Sequence, residues 1–365
     1  MLQSLMLDRD QLYFDRLHGC IPILNQRRYL FEAQQPGKST AQLCLRHAVW
    51  TLASSTSVQY QGLRDPLYQN TRRALEALDV RTSSSQDTDL EQVQAWLILA
   101  THEFMCVSFR RAWSTLGRAF RTIQLREFQD TDALDMVAEQ TDFITTEMKR
   151  RTFWMAYCLD RFFSLRNGDH MTFGDQVANP YKPTVFLQIR LADQAPSPQN
   201  VTRLPALETD FQHGRPNCMG FLQDALTIGD FGPSRSPFVE CIIVAALSGR
   251  VLSHRNFCIG ATLNQNTSRS CWERHEQIGA TLLRRIELFC DSYPPNLQES
   301  DPMLIFVNMM WQSAVLYHDR LTRSKLSQFD ESEAGLAQSH MRASAAMAEM
   351  INLMTRISQL NGFKV

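Results

Sequence analysis

The sequence predicts an all-α fold, a multi-helix single domain built around one buried central helix at about 143–166. Three observations carry this. Apolar residues recur at three- and four-residue intervals through most of the chain, the spacing of one helix face. From Thr152 to Leu159 the chain is apolar on every side, as in a helix buried within a larger domain. No alternating strand pattern and no internal repeat interrupts these segments.

Residues 3–18 set Leu7, Leu12, Phe14 and Leu17 among charges, an amphipathic helix that Gly19-Cys20-Ile21-Pro22 stops. Helical spacing returns at 40–58 and 64–79, separated by Gly62 and by Asp65-Pro66, where proline suits a first turn. The serine-rich stretch 82–89 is a loop, with Asp87 or Thr88 as N-cap of a helix whose Val93, Trp96, Leu97, Ala100 and Phe104 share one face. The next helix, about 109–125, carries Arg110, Arg111, Arg118 and Arg121, expected to be a solvated face because no base-stacking aromatics are interleaved with them.

The central helix has acid at its N-terminal end in Asp142 and Glu147 and a left-handed cap in Asn167-Gly168. Glu147 reaches Arg150 and Arg151 at i+3 and i+4. Asp160 and Arg161, as neighbours, are expected not to face each other and therefore to pair across helices, since a buried unpaired ion is costly. Residues 167–216 are broken by Pro180, Pro183, Pro196, Pro198, Pro205 and Pro216 into an irregular loop. Helices then follow at about 217–229, 236–257, 269–290, 300–323 and 331–359.

Composition narrows the function. The 37 basic and 38 acidic residues leave a formal charge of −1, with none of the basic excess of a nucleic-acid-binding surface. Nine cysteines stand no closer than 13 residues apart, so no pair has the spacing of a zinc site, and no metal is expected. An odd count with several of them inside apolar helical runs reads as reduced, buried thiols of an intracellular protein. The N-terminus lacks the features of a signal peptide, and the longest apolar stretch, Cys241 to Leu247, falls well short of a membrane span.

The residues of the central helix carry a resemblance. Glu147, Lys149, Arg150, Arg151, Phe153, Trp154, Tyr157, Asp160 and Arg161, followed by Asn167-Gly168, resemble the central motif of the fungal-specific transcription factor domain, the middle homology region found downstream of the zinc binuclear cluster in fungal regulators. The runs Leu90–Ala100 and Phe109–Arg121 look like the helix pair preceding that motif, and Tyr13-Phe14 with His18 like the opening of the domain. Ser248–His254 and Leu316–Leu321 look like its later helices, so the resemblance covers roughly 10 to 325. At Gly168–Phe173 the family commonly has Gly-Arg-Pro, and this chain departs from it at Asp169 and His170.

The resemblance implies that residues 1–365 form one regulatory domain, all-helical, without its own zinc cluster, acting in transcription regulation in the nucleus or cytoplasm. It implies no catalysis and no cofactor. Its expected partners are a small-molecule effector and a second copy or a transcriptional co-regulator, with no direct nucleic-acid contact by this chain and no membrane. The ligand-pocket candidates are His102, Glu103, His170, His254 and His318. His102 and Glu103 would make an acid/base pair only if adjacent helical positions, about 100° apart, could converge. His254 and His318 read more simply as satisfied core histidines. No Gly-x-Ser-x-Gly elbow, phosphate-binding glycine loop or His-Glu-x-x-His helix is present, and Asp224, Asp230 and Glu240 lack the spacing of a metal loop. The alternative is a stand-alone protein of the same fold that binds or converts a small metabolite in an internal pocket. A third reading, an interaction scaffold, would use the Met347, Met350, Leu353 and Met354 face.

Overall fold

The computed structural model describes residues 2–80, 89–132, 142–168, 171–173, 202–217, 219–228, 236–260, 265–325 and 333–359. Among these residues there are fourteen α-helices and no strand, so the all-α expectation holds. The chain divides into two compact units, Met1–Tyr157 with Gln176–Gln223 and Val365, and Cys158–Asp175 with Asp224–Lys364.

The first unit contains α1 (Leu2–Arg16), α2 (Gln26–Gln34), α3 (Thr40–Ser54), α4 (Gln61–Val80), α5 (Asp89–Cys106), α6 (Phe109–Leu125), the Phe143–Tyr157 portion of α7 (Phe143–Asn167) and α8 (Glu208–His213). Helix α3 is its hub, packing on α1, α4 and α5, while α5 also packs on α6. The start of α3 is fixed by a capping box in which Ser39 and Gln42 exchange side-chain and backbone hydrogen bonds. Ser108 and Asn25 cap α6 and α2 in the same sense. In α5, Val93 and the run Ala95–Ala100 are buried throughout. The stretch expected as 40–58 ends at Ser54, because a 3-10 turn at Val58–Tyr60 leads straight into α4. Helix α4 therefore begins before Pro66, which lies inside it rather than in its first turn.

The second unit contains Cys158–Asn167 of α7, α10 (Pro237–Gly260), α11 (Gln265–Ser292), α12 (Pro295–Ser300), α13 (Pro302–Lys325) and α14 (Glu333–Gln359). Helix α9 (Leu222–Ile228) falls at the boundary. Helix α13 packs on α10, α11, α12 and α14, and α10 packs on α11. Pro302 opens α13, with the Asp301 carboxylate accepting from Met303 N at 2.8 Å. Pro237–Cys258 is long and apolar enough to cross a membrane, longer than the run read from sequence, yet 83% of its apolar window is buried inside the protein. A core helix packed on two neighbours accounts for that composition. Helix α14 buries Ala343, Ala346 and Leu353 and exposes Met347, Ile351 and Met354, so the apolar face expected there is split between core and solvent.

The central helix matches its expected bounds closely. Asp142 caps it, its carboxylate accepting from Ile144 N and from the Thr145 hydroxyl. Gly168 ends it at φ +71°, its N–H donating to Ser164 O at 2.7 Å. Two readings of the cysteines need correction. Cys258 and Cys271 are disulfide-bonded because α10 and α11 bring their Cα atoms to 6.0 Å, and Cys106 and Cys290 are exposed rather than buried. The expected N-caps Asp87 and Thr88 and most of the proline-rich 167–216 segment lie outside the described residues.

Candidate functional site

In the first unit the motif on α7 is a buried ionic frame. The Glu147 carboxylate, fully buried, accepts from Arg151 Nε at 3.0 Å, from Arg150 Nη1 and from the Ala206 backbone N–H at 2.8 Å. Arg150 reaches Asp132 as well, and its pKa is raised: burial opposes its charge, but hydrogen bonds with Asp132 and the nearby Glu147 outweigh that. Arg151 spends the rest of its fork on Pro22 O at 2.9 Å, Ala206 O at 2.7 Å and Glu208, and its guanidinium lies over the Phe211 ring. One side chain thus ties α7 to the 22–25 turn and to the segment entering α8.

Glu208 completes the frame. Burial raises its pKa, but hydrogen bonds from His18 and Gln212 and the Arg151 charge bring it down to about 2. Phe153, Trp154 and Tyr157 form an aromatic cluster on the same helix, with Trp154 Nε1 donating to Arg203 O at 2.7 Å. Each carboxylate of the frame, Asp132, Glu147 and Glu208, is engaged by an arginine. Sequence reasoning also missed a second node nearby, where the buried Asp10 carboxylate accepts from Tyr29, Arg46 and Trp50.

In the second unit, the expectation that Asp160 and Arg161 could not meet is overturned. Arg161 Nη1 donates to Asp160 Oδ2 at 3.0 Å, both side chains being fully buried. The long guanidinium stem folds back because both residues serve one backbone turn: Asp160 accepts from Thr172 N and Phe173 N, and Arg161 Nη2 donates to Phe173 O at 2.8 Å. Their common partner is a loop, not another helix.

His102 and Glu103 are both buried but look in different directions. Glu103 accepts from Tyr68 Oη at 2.7 Å, from Arg72 at 2.5 Å and from the Thr115 hydroxyl at 2.5 Å, which occupies the carboxylate of any would-be base. His102 Nδ1 sits 2.8 Å from the Ser55 hydroxyl, and its ring packs on Tyr68. Burial first, then the Arg64 charge, pushes the His102 pKa down to about 4, against a smaller opposing effect of Asp65. A histidine held neutral in the folded state and protonated in the unfolded one costs stability as pH falls. The expected loss begins near the unfolded pKa of about 6.5 and ends near 4, at up to about 1.4 kcal/mol per pH unit. His102→Asn should reduce the slope of stability against pH in urea titrations between those pH values, by the share of one histidine.

Sequence-predicted His254 and His318 are brought into one cluster of the second unit by a residue the sequence reading did not single out, His275. The His254 and His275 rings approach at 3.3 Å between Nε2 and Nδ1, and His275 and His318 stack with centroids 3.7 Å apart. His318 Nε2 lies 3.1 Å from His275 O. Burial, followed by neighbouring positive groups, lowers His275 to about 2, and burial lowers His254 and His318 to about 4. His275 and His318 line a cavity of about 200 Å³ together with Trp272, Asp319, Ser339 and Arg342. Gly279 lets α11 approach there, since a Cβ at that position would stand 3.1 Å from His318 Cε1 and 3.4 Å from Arg342 Nη1. His170 lies outside the described residues.

Among the described residues, the site combines a charged motif holding the central helix with a small polar cavity in the second unit. Residues 11–179 match the fungal specific transcription factor domain. It is 37% identical, over 98% of its length and 61% of the relative, to a pigment biosynthesis transcriptional activator of Monascus ruber. A citrinin biosynthesis transcriptional activator of Monascus purpureus is 36% identical over 98% of this chain and 58% of its own. An azaphilone cluster-specific transcription factor of Aspergillus niger is 36% identical over 86% and 64%. The chain spans about three fifths of the length of these relatives. No solved structure matches it.

Proposed function

We propose that this chain is the effector-sensing regulatory part of a pathway-specific fungal transcriptional activator that works in the nucleus. The observation that carries this reading is the match to activators of biosynthetic pathways along 98% of the chain, the second unit and its cavity included. The cavity supplies the sensing element. A guanidinium (Arg342), a carboxylate (Asp319), a hydroxyl (Ser339) and the flat faces of Trp272 and His318 converge on it. That lining suits a small planar molecule carrying oxygen acceptors, and a volume of about 200 Å³ lies below the range that holds drug-sized ligands. The metabolite-converting alternative is less well supported, since Glu103 and Asp160 are saturated by internal partners and lie outside this cavity.

Native mass spectrometry of the protein from its own host, compared with denaturing conditions, tests the reading directly. The expected result is a small-molecule adduct that leaves on denaturation and is absent from Gly279→Leu, whose side chain fills the cavity beside His318 and Arg342. The same substitution in the host should change transcript levels of the regulated pathway by about tenfold, the scale of a typical coupling free energy of 1–3 kcal/mol. An adduct retained by Gly279→Leu would remove the cavity from the account, and unchanged transcripts would remove the effector.

A further inference from the structure

His254 and Cys258 stand four residues apart on α10, and Cys271 and His275 stand four residues apart on α11. In sequence this is His-x3-Cys followed by Cys-x3-His, each pair on one helix face. Packing of the two helices brings the pairs together. Donor atoms of His254, Cys258 and Cys271 all lie within 4.8 Å of one another, and His275 Nδ1 lies 3.3 Å from His254 Nε2. All four residues are buried.

We propose that the reduced protein binds a single zinc ion through His254, Cys258, Cys271 and His275, and that the Cys258–Cys271 disulfide is the oxidised, metal-free state of the same site. The chemistry of the donors favours it. Two imidazoles and two thiolates are a complete structural zinc set, and the two thiolates balance the charge of the ion inside a buried cluster. The spacing favours it too. A tetrahedral ion with Zn–N of about 2.05 Å and Zn–S of about 2.3 Å has N–N edges of about 3.3 Å and N–S edges of about 3.6 Å. The structure has 3.3 Å between His275 Nδ1 and His254 Nε2, and 3.5 Å between His254 Nε2 and Cys258 Sγ. The two sulfurs are bonded to each other here, and reduction frees them to separate to the roughly 3.8 Å that such an ion requires.

The surroundings support the ligands. His318 stacks on His275 and contacts its backbone carbonyl, holding that ring in place, and Trp272 packs against the cysteine pair. His275 and Trp272 also form part of the cavity wall, which gives the ion a path to a buried site. The exchange between states is balanced with a peroxide as two-electron oxidant. Two zinc-bound thiolates, one hydrogen peroxide and two protons give one disulfide, two waters and a released zinc ion. The S–S bond forms, the O–O bond breaks, and the peroxide oxygens leave as water.

This inference stands independently of the effector reading. It is tested on the full chain, first reduced with a phosphine and freed of metal, then titrated with zinc and with cobalt. The expected result is about one zinc per chain by elemental analysis and, for cobalt, the intense d–d bands of a tetrahedral site with a thiolate charge-transfer band. Hydrogen peroxide should release the metal with loss of two thiols, and reduction should restore binding. Cys271→Ser and His275→Ala should each weaken zinc binding by at least tenfold while circular dichroism stays helical. Because the cobalt spectrum is read on the unsubstituted protein, a variant that fails to fold does not decide the matter. Reduced protein with both thiols free that takes up no zinc or cobalt would overturn the proposal. Octahedral cobalt spectra without thiolate charge transfer would overturn it equally.

Discussion

Arg151→Ala is expected to destabilise the protein by about 3–5 kcal/mol, the scale for breaking a buried ion pair by removing one partner. The guanidinium is almost completely buried and serves Glu147, Glu208, Pro22 O and Ala206 O at once. Alanine would strip two backbone carbonyls of their donor and leave Glu147 to Arg150 and the Ala206 N–H. Arg151→Lys should recover only part of the loss, because one ammonium cannot reproduce a fork that points in three directions. Urea unfolding measures both. A midpoint for Arg151→Ala within experimental error of the parent would show that the frame is not what anchors α8 and the 22–25 turn to α7.

The second large effect belongs to Asp160. Asp160→Ala should cost a further amount of the same order, about 3–5 kcal/mol, since the carboxylate takes two backbone N–H groups and the guanidinium of Arg161. The pairing geometry gives this prediction a second arm. Replacing both residues together, as Asp160→Asn with Arg161→Met, removes the buried charges in one step and is expected to cost less than Asp160→Ala alone. A double variant less stable than the sum of its singles would assign the pair a specificity role that simple charge burial does not explain. Proteolysis near 171–173 in the single variant would report the freed turn.

Much of the fold was legible in the chain. The apolar run Thr152–Leu159, the acid at Asp142 and the Asn167-Gly168 cap give α7 its bounds, because helix periodicity and capping are local properties read within a few residues. The Glu147 pairing with Arg150 and Arg151 follows from the same spacing. The candidate sites were legible only in part. His254 and His318 could be named as buried polar residues on apolar helices, but their convergence depends on His275, which lies on a third helix.

The zinc-type arrangement was present as two four-residue intervals, His254 to Cys258 and Cys271 to His275, yet a search for closely spaced cysteines passed over it. That search suits ligands presented by a tight turn and not ligands presented by helix faces. Asp160 and Arg161 show the reverse error, in which a sound rule about neighbouring helical positions gave way to flexible side chains converging on the 172–173 turn.

The all-α class, the central helix with its caps and the likeness of residues 11–179 to a transcription factor domain were readable from the chain alone, because periodicity, capping and motif spacing are written in consecutive residues. Which buried charges meet, that Cys258 and Cys271 stand side by side, and that His275, His318 and Arg342 wall one cavity follow from packing in three dimensions. Those contacts join one helix to another or to a loop, and they are set by how whole faces pack rather than by any local pattern.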